Sequence, residues 1–169
     1  VLSGRNLESL NKTAEKVHIT GADAYIVPAD VTRFEEMKAL VEKAIELTGR
    51  LDVMLLGAGF GVLGEAVNIP LELWHRQMDV NFYGVLYGFY AALPYFKKQG
   101  SGQVIIINSL SGRIAMPLNS PYCASKFALW GFADSIRVEL EKDNIDVLSI
   151  YPNFVKTRFQ ANILSPDLN

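Results

Sequence analysis

The chain has 169 residues, half of them apolar, which is enough for one domain with its own core and too little for two. Its formal charge of -2 comes from 16 basic and 18 acidic residues spread along the sequence, leaving no basic patch for nucleic acid and no polybasic segment for a membrane surface. A single cysteine, Cys123, excludes an intrachain disulfide, and no apolar run reaches the roughly 18 residues of a spanning helix, so a soluble, cytoplasmic protein is expected.

Residues 1–3 read as the end of a strand and 4–6 as a turn, followed by a helix with Leu7, Leu10 and Val17 on one inward stripe. Residues 24–28 are a short strand. Thr32 with Glu35 is a capping-box pattern, opening a helix to about Leu47 that turns Met37, Leu40, Val41 and Ala44 inward. Residues 51–58 lack polar alternation, as a strand covered on both faces does. They run into Gly59-Phe60-Gly61-Val62-Leu63-Gly64, which has the spacing of a dinucleotide fingerprint. That fingerprint needs a helix to start at the glycines; Pro70 follows soon after and two strand-helix units already precede, so a plain strand-end loop is the better reading.

A long helix over 71–97 carries eight aromatic residues around more than one face, and the surplus predicts a subunit interface. Residues 104–107 form an apolar strand, a helix runs from about 120 to 142 with Phe127, Trp130, Ile136 and Leu140 placed to pack, and 145–151 is a further strand. Strands alternating with helices predict an α/β fold, a doubly wound parallel sheet with right-handed crossovers, in one domain over residues 1–169. His18 and His75 stand alone and no acidic cluster has ligand spacing, so no metal is expected.

The chemistry gathers after the strand at 104–107. Tyr122 and Lys126 lie four residues apart on a helix, on one face and about 6 Å apart along its axis. A fixed positive charge favours the phenolate and brings an ordinary tyrosine pKa of about 10 toward neutrality, so Lys126 is expected to lower that of Tyr122. Ser109, at a strand end, can donate a hydrogen bond to a carbonyl oxygen while Tyr122 gives or takes a proton.

This stretch resembles the short-chain dehydrogenase/reductases, which carry a Ser at a strand end, a Tyr thirteen residues on and a Lys four beyond that. Ser109, Tyr122 and Lys126 fit both intervals, Gly112 and Pro117 fall where the family has Gly and Pro, and Tyr122-Cys123-Ala124-Ser125-Lys126 matches Tyr-x-Ala-Ser-Lys. The resemblance implies a Rossmann-like, three-layer fold and hydride transfer between a nicotinamide cofactor and a small carbonyl or alcohol. It makes Asn81, in Asn-Phe-Tyr-Gly, a fourth catalytic residue that bends its helix and holds a water linking Lys126 to solvent; the alternative is an ordinary buried asparagine. Homodimers or homotetramers are implied as well.

Further residues carry over as cofactor contacts. Gly4 stands where an acidic residue would bind the ribose diol, and Arg5 follows, a guanidinium suited to a 2′-phosphate, so NADP is expected over NAD. Arg5 as a solvated turn residue is the alternative. Asp30 and Val31 fall on the adenine-binding pair, although a turn aspartate ending a strand reads equally well. Ala58 and Gly59 match the end of the family's Asn-Asn-Ala-Gly, with Leu56 and Gly57 in place of the asparagines. Pro152, Val155 and Thr157 match its Pro-Gly-x-Val-x-Thr, which meets the nicotinamide carboxamide and the phosphates; Asn153 replaces the glycine. The family's first strand with its glycine-rich turn, and its last strand, have no counterpart here, so the fold is expected to be incomplete at both ends, with pairing groups exposed where the first strand would lie. A non-catalytic, truncated relative that binds cofactor or another subunit is the alternative function.

Overall fold

The computed structural model describes residues 1–155, 157 and 159–166. In chain order it has α1 (Leu7–Ile19), α2 (Phe34–Thr48), β1 (Val53–Leu56), β2 (Gly61–Val62), α3 (Leu71–Met78), α4 (Gly84–Gln99), β3 (Gly102–Ile107), α5 (Ser120–Glu139), β4 (Ile145–Ile150) and β5 (Ile163–Leu164). The sheet is parallel in the order β1-β3-β4, and β2 pairs in parallel with β5. Parallel neighbours in sequence order require a helical crossover each time, which α4 and α5 provide. The register Leu56↔Ile106↔Ser149 brings the carboxyl ends of all three strands level.

One face of this sheet is covered. Leu56, Val104 and Ile106 are buried with Met37, Leu40 and Val41 of α2, Val85, Phe89 and Phe96 of α4, and Leu129, Ala133 and Ile136 of α5 in a single core. The alternate side chains face the other way, and there the sequence expectation fails. Val53 is 46% and Leu55 59% exposed, and Leu148 and Ile150 are exposed as well. The run at 53–58, without polar alternation, marks a strand suited to cover on both faces, but among the described residues this part of the sheet has cover on only one.

The first strands are also reduced. Residues 24–28 form a single parallel bridge, Ile26 to Leu2, held by Leu2 N–H to Tyr25 O at 2.7 Å and Val27 N–H to Leu2 O at 3.0 Å. Between this bridge and β1 lies a cavity of about 940 Å³, lined by residues 1–4, β1 and the inward side of α2. The Gln103 N–H donates to Asp52 O, so alternation points the N–H groups of Val53 and Leu55 away from β3 and into the cavity. These are the exposed pairing groups that the sequence pattern predicts.

Two local expectations change. The cap of α2 is Arg33, without a side-chain hydrogen bond, because the Thr32 hydroxyl donates to Asp30 Oδ1 (2.8 Å) and the Asp30 N–H donates to Glu36, not Glu35 (2.8 Å). The helix predicted over 71–97 is three pieces, α3, a π turn at Asp79–Tyr83, and α4. Of its aromatics, only Tyr83 and Tyr90 are exposed. The rest are buried or half-buried because this helix packs against α2, the sheet and α5, with Phe82 and Phe89 edge-on to Phe132.

Candidate active site

Ser109 leaves β3 in an extended conformation (φ -163°, ψ 157°) and opens a 3₁₀ turn over Leu110–Gly112. Buried Asn108 sets its direction: the Ser109 N–H donates to Asn108 Oδ1 at 3.0 Å, and the Asn108 N–H donates to Ile150 O at 2.8 Å. The Ser109 Oγ accepts from the Ser111 N–H at 3.1 Å, and Leu110 N–H donates to Pro152 O at 3.0 Å, which ties the turn to the end of β4. Gly112 is the point of closest approach to α5. A Cβ there would lie 2.7 Å from both the Lys126 carbonyl oxygen and Asn108 Oδ1.

On α5, which starts with Ser120 and Pro121 as helix starts favour, Tyr122 and Lys126 share the face turned to this loop. Burial raises the pKa of Tyr122 and is the largest effect, with the neighbouring Ser109 side chain acting against it. Lys126 is 4% exposed; its Nζ donates to Ile107 O at 2.9 Å and sits 5.7 Å from the Tyr122 ring centroid, and desolvation brings its pKa down to about 8. The expected lowering of the phenol by the lysine is therefore not what the geometry gives. The same burial that brings the two groups together disfavours both charged forms, and the ammonium is turned to a backbone carbonyl.

Asn81 lies in the π turn and is fully buried. Its Oδ1 accepts from the Phe60 N–H (3.1 Å), and its Nδ2 donates to Phe60 O (3.0 Å) and Ser125 Oγ (3.2 Å). Ser125 in turn donates to Tyr122 O at 2.7 Å. Asn81 thus joins the loop after β1 to the helix carrying Tyr122. Gln77, one turn earlier, donates to the same Phe60 carbonyl at 2.6 Å. The loop can pass this close because position 59 is glycine, where a Cβ would meet Asn81 Oδ1 at 3.3 Å. No helix begins at 59–64; Gly61 and Val62 pair with Ile163 and Leu164 instead.

The remaining predicted contacts spread along the carboxyl edge. Ala58 is exposed and Gly59 half-buried at the end of β1, and Pro152 sits beside the Ser109 turn. Val155 is exposed, and the Thr157 Oγ accepts from the Phe159 N–H at 3.2 Å. The Lys156 position of that motif lies outside the described residues. Phe159 packs on Tyr122 with ring centroids 5.7 Å apart, an apolar wall beside the phenol. At the other end Arg5 is exposed, 3.7 Å from Asp30 Oδ2. Asp30 has a lowered pKa, chiefly through the Thr32 N–H, with Arg5 and Arg33 adding to it. Val31 is committed to packing: its side chain fills the space a Cβ on Gly84 would need.

Sequence reasoning missed Asn108, Gln77 and Ser125 as positioning groups. Buried amides next to a strand end or a helix bend leave no periodic signature, although Ser125 lies inside the quoted Tyr-x-Ala-Ser-Lys run. No helix among the described residues is long and apolar enough to cross a membrane.

The profile of the family described as short chain dehydrogenase matches residues 1–167. The uncharacterized oxidoreductase YxnA of Bacillus subtilis is 35% identical over 165 residues, 96% of this chain and 46% of that protein, so the chain spans about half the length of this curated relative. A short-chain dehydrogenase/reductase from Burkholderia phymatum, solved in complex with NAD, superposes with a TM-score of 0.92 at 23% identity, over 95% of this chain and 58% of its own. An alcohol dehydrogenase from Thermococcus sibiricus, complexed with 5-hydroxy-NADP, gives a TM-score of 0.87 at 23% identity, over 98% and 74%. A profile match across almost every residue, on a parallel sheet with Ser109, Tyr122 and Lys126 gathered at its carboxyl edge, places the chain in the short-chain dehydrogenase family.

Proposed function

We propose that the chain carries the active site of an NADP-dependent oxidoreductase that reduces a small carbonyl compound to an alcohol. The observation that supports this best is the Ser109 turn beside the Tyr122 phenol, with the Lys126 ammonium 5.7 Å from the Tyr122 ring centroid. The residues present fit a nicotinamide dinucleotide: exposed Ala58 and Val155 with half-buried Gly59 and Pro152 leave an open edge at the carboxyl ends of parallel strands, the place where such sheets take nucleotides. When bound, that cofactor supplies the hydride. The rest is the work of side chains.

Ser109 donates a hydrogen bond to the substrate oxygen, and Tyr122 gives its proton to that oxygen as the new C–H bond forms. Burial holds the phenol above its ordinary value, so at neutral pH Tyr122 carries the proton that reduction requires. The Lys126 charge, still present at neutral pH with a pKa of about 8, would hold the nicotinamide ribose. Asn81 supports proton return to Tyr122 by fixing Ser125 and the helix turn around it. Thr157 would meet the phosphates of the bound cofactor, and Asp30 with Val31 behind it would meet the adenine.

NADP preference is assigned to Arg5, whose exposed guanidinium can turn from Asp30 to a 2′-phosphate. Charge-assisted hydrogen bonds of roughly 1.5 to 3 kcal/mol correspond to about tenfold to a hundredfold. Fluorescence titration of NADPH and NADH should show that margin in the parent and its reversal in the Gly4→Asp, Arg5→Ile double variant; equal affinities in the parent contradict the role of Arg5. A homodimer or homotetramer through α5 and the side of the 71–97 segment that exposes Tyr83 and Tyr90 is proposed too, and light scattering that finds only monomer at micromolar concentration would exclude it.

The reduction itself is tested with cofactor deuterated at nicotinamide C4 and a panel of ketones. Deuterium on the alcohol carbon is the expected result. Cofactor binding without transfer to any ketone supports the second reading, a non-catalytic relative that binds cofactor or another subunit, which draws on the open edge of β1.

A further inference from the structure

We propose that Arg113 is a positioning residue, its guanidinium stacked between the rings of Trp130 and Tyr151 so that the Ser109 turn is held against the α5 face carrying Tyr122 and Lys126. The inference rests on the roles given above to Ser109 and Tyr122. The guanidinium carbon is 4.4 Å from the Trp130 ring centroid and 4.7 Å from that of Tyr151, both within the range of cation–π attraction. Among the described residues it has no carboxylate partner, so the two rings are what hold it.

The two rings belong to the two elements that the turn must be registered against. Trp130 lies on α5, four residues after Lys126 and eight after Tyr122, and its Nε1 donates to Asp134 Oδ2 at 2.9 Å, which fixes the indole plane. Tyr151 follows β4 directly and precedes Pro152, whose carbonyl accepts from Leu110. Among the described residues the buried Tyr151 hydroxyl has no hydrogen-bond partner, and the ring face makes the contact with Arg113. Arg113 is joined to the turn through its own N–H, which donates to Leu110 O at 2.9 Å. Gly112 and Asn108 fix the near side of the turn, and Arg113 closes the far side.

If the stack is lost, the turn is free to shift and Ser109 moves away from the Tyr122 phenol. Ser109 opposes the effect of burial on the phenol; the other groups facing it are Cys123 and Lys126 of α5 and the uncharged Phe159 ring. A planar guanidinium stacks on two rings at once, whereas a lysine ammonium is a hydrated point charge, so Arg113→Lys should keep part of the effect and Arg113→Leu none.

Two readouts decide the matter. The first is the Tyr122 titration midpoint, from ultraviolet difference titration against Tyr122→Phe, which needs no turnover. The second is kcat together with cofactor Kd. Arg113→Leu should move the midpoint upward, to that of Ser109→Ala, and lower kcat by about tenfold to a hundredfold with cofactor Kd little changed, as small misplacements near reacting atoms do. Arg113→Lys should fall between, and it carries the test if Arg113→Leu does not fold. A midpoint and kcat at parental values in either variant overturn the proposal. If the parent reduces no carbonyl, the reading of function fails by itself, and a midpoint that follows Ser109→Ala still establishes the placement by Arg113.

Discussion

Lys126 is a charge that the fold buries at a cost, and the cost has a pH signature. Its pKa of about 8 in the folded chain lies below the ordinary 10.5, so between these values the unfolded chain binds more protons and stability rises with pH. At neutral pH both forms are protonated and the desolvation penalty is fully present. Lys126→Met should therefore stabilise the fold at pH 7 by roughly 2 kcal/mol, after allowing for the lost bond to Ile107 O, and the gain should shrink as pH approaches about 10. Tyr122, with its raised pKa, acts in the opposite sense only above about pH 10, so it leaves this window clear. Urea unfolding of parent and variant at several pH values measures the difference; a gain that is flat or grows with pH contradicts the assignment. Ser109, Tyr122 and Lys126 are legible in the sequence because their spacing is their signature. The direction of the Tyr122 shift is not, since it depends on how deeply both groups are buried.

Gly112 decides how the Ser109 turn meets α5. The atom a Cβ would strike is the Lys126 backbone carbonyl, which cannot rotate away as a side chain could, so Gly112→Ala should cost about 1 to 3 kcal/mol in denaturant unfolding. Turnover should fall along with stability, because the turn and the helix separate where Ser109 meets Tyr122; full stability and activity in this variant would show that the contact is not tight. Other elements were legible to different degrees. The strand at 104–107 and the helix opening near Ser120 are read correctly from their apolar residues. The π turn at Asp79–Tyr83 is not, because one widened turn barely disturbs apolar periodicity over 71–97. The Thr32–Glu35 capping box has the right residues but does not close, because the Thr32 N–H and hydroxyl both donate to Asp30 Oδ1, two residues back.

Taken whole, the molecule has a well-covered sheet face and an open edge at β1. The amides of Val53 and Leu55 point into the cavity beside residues 1–4, whereas β3 is paired on both sides and its Val104 and Ile106 are fully buried. Hydrogen exchange should be fast at Val53 and Leu55 and slowest at Val104 and Ile106; slow exchange at Val53 and Leu55 would mean that something already pairs with β1. The doubly wound pattern is legible because strand and helix alternate in the sequence. The bare sheet face is not, because an apolar strand reads alike whether or not a neighbour covers it. The assignment of reductase chemistry turns on one proton. Tyr122→Phe removes that proton and little contact area, so it should abolish reduction of ketones by the nicotinamide cofactor while leaving cofactor Kd nearly at the parental value. Substantial reductase activity in Tyr122→Phe, across ketones that the parent reduces, would contradict the account.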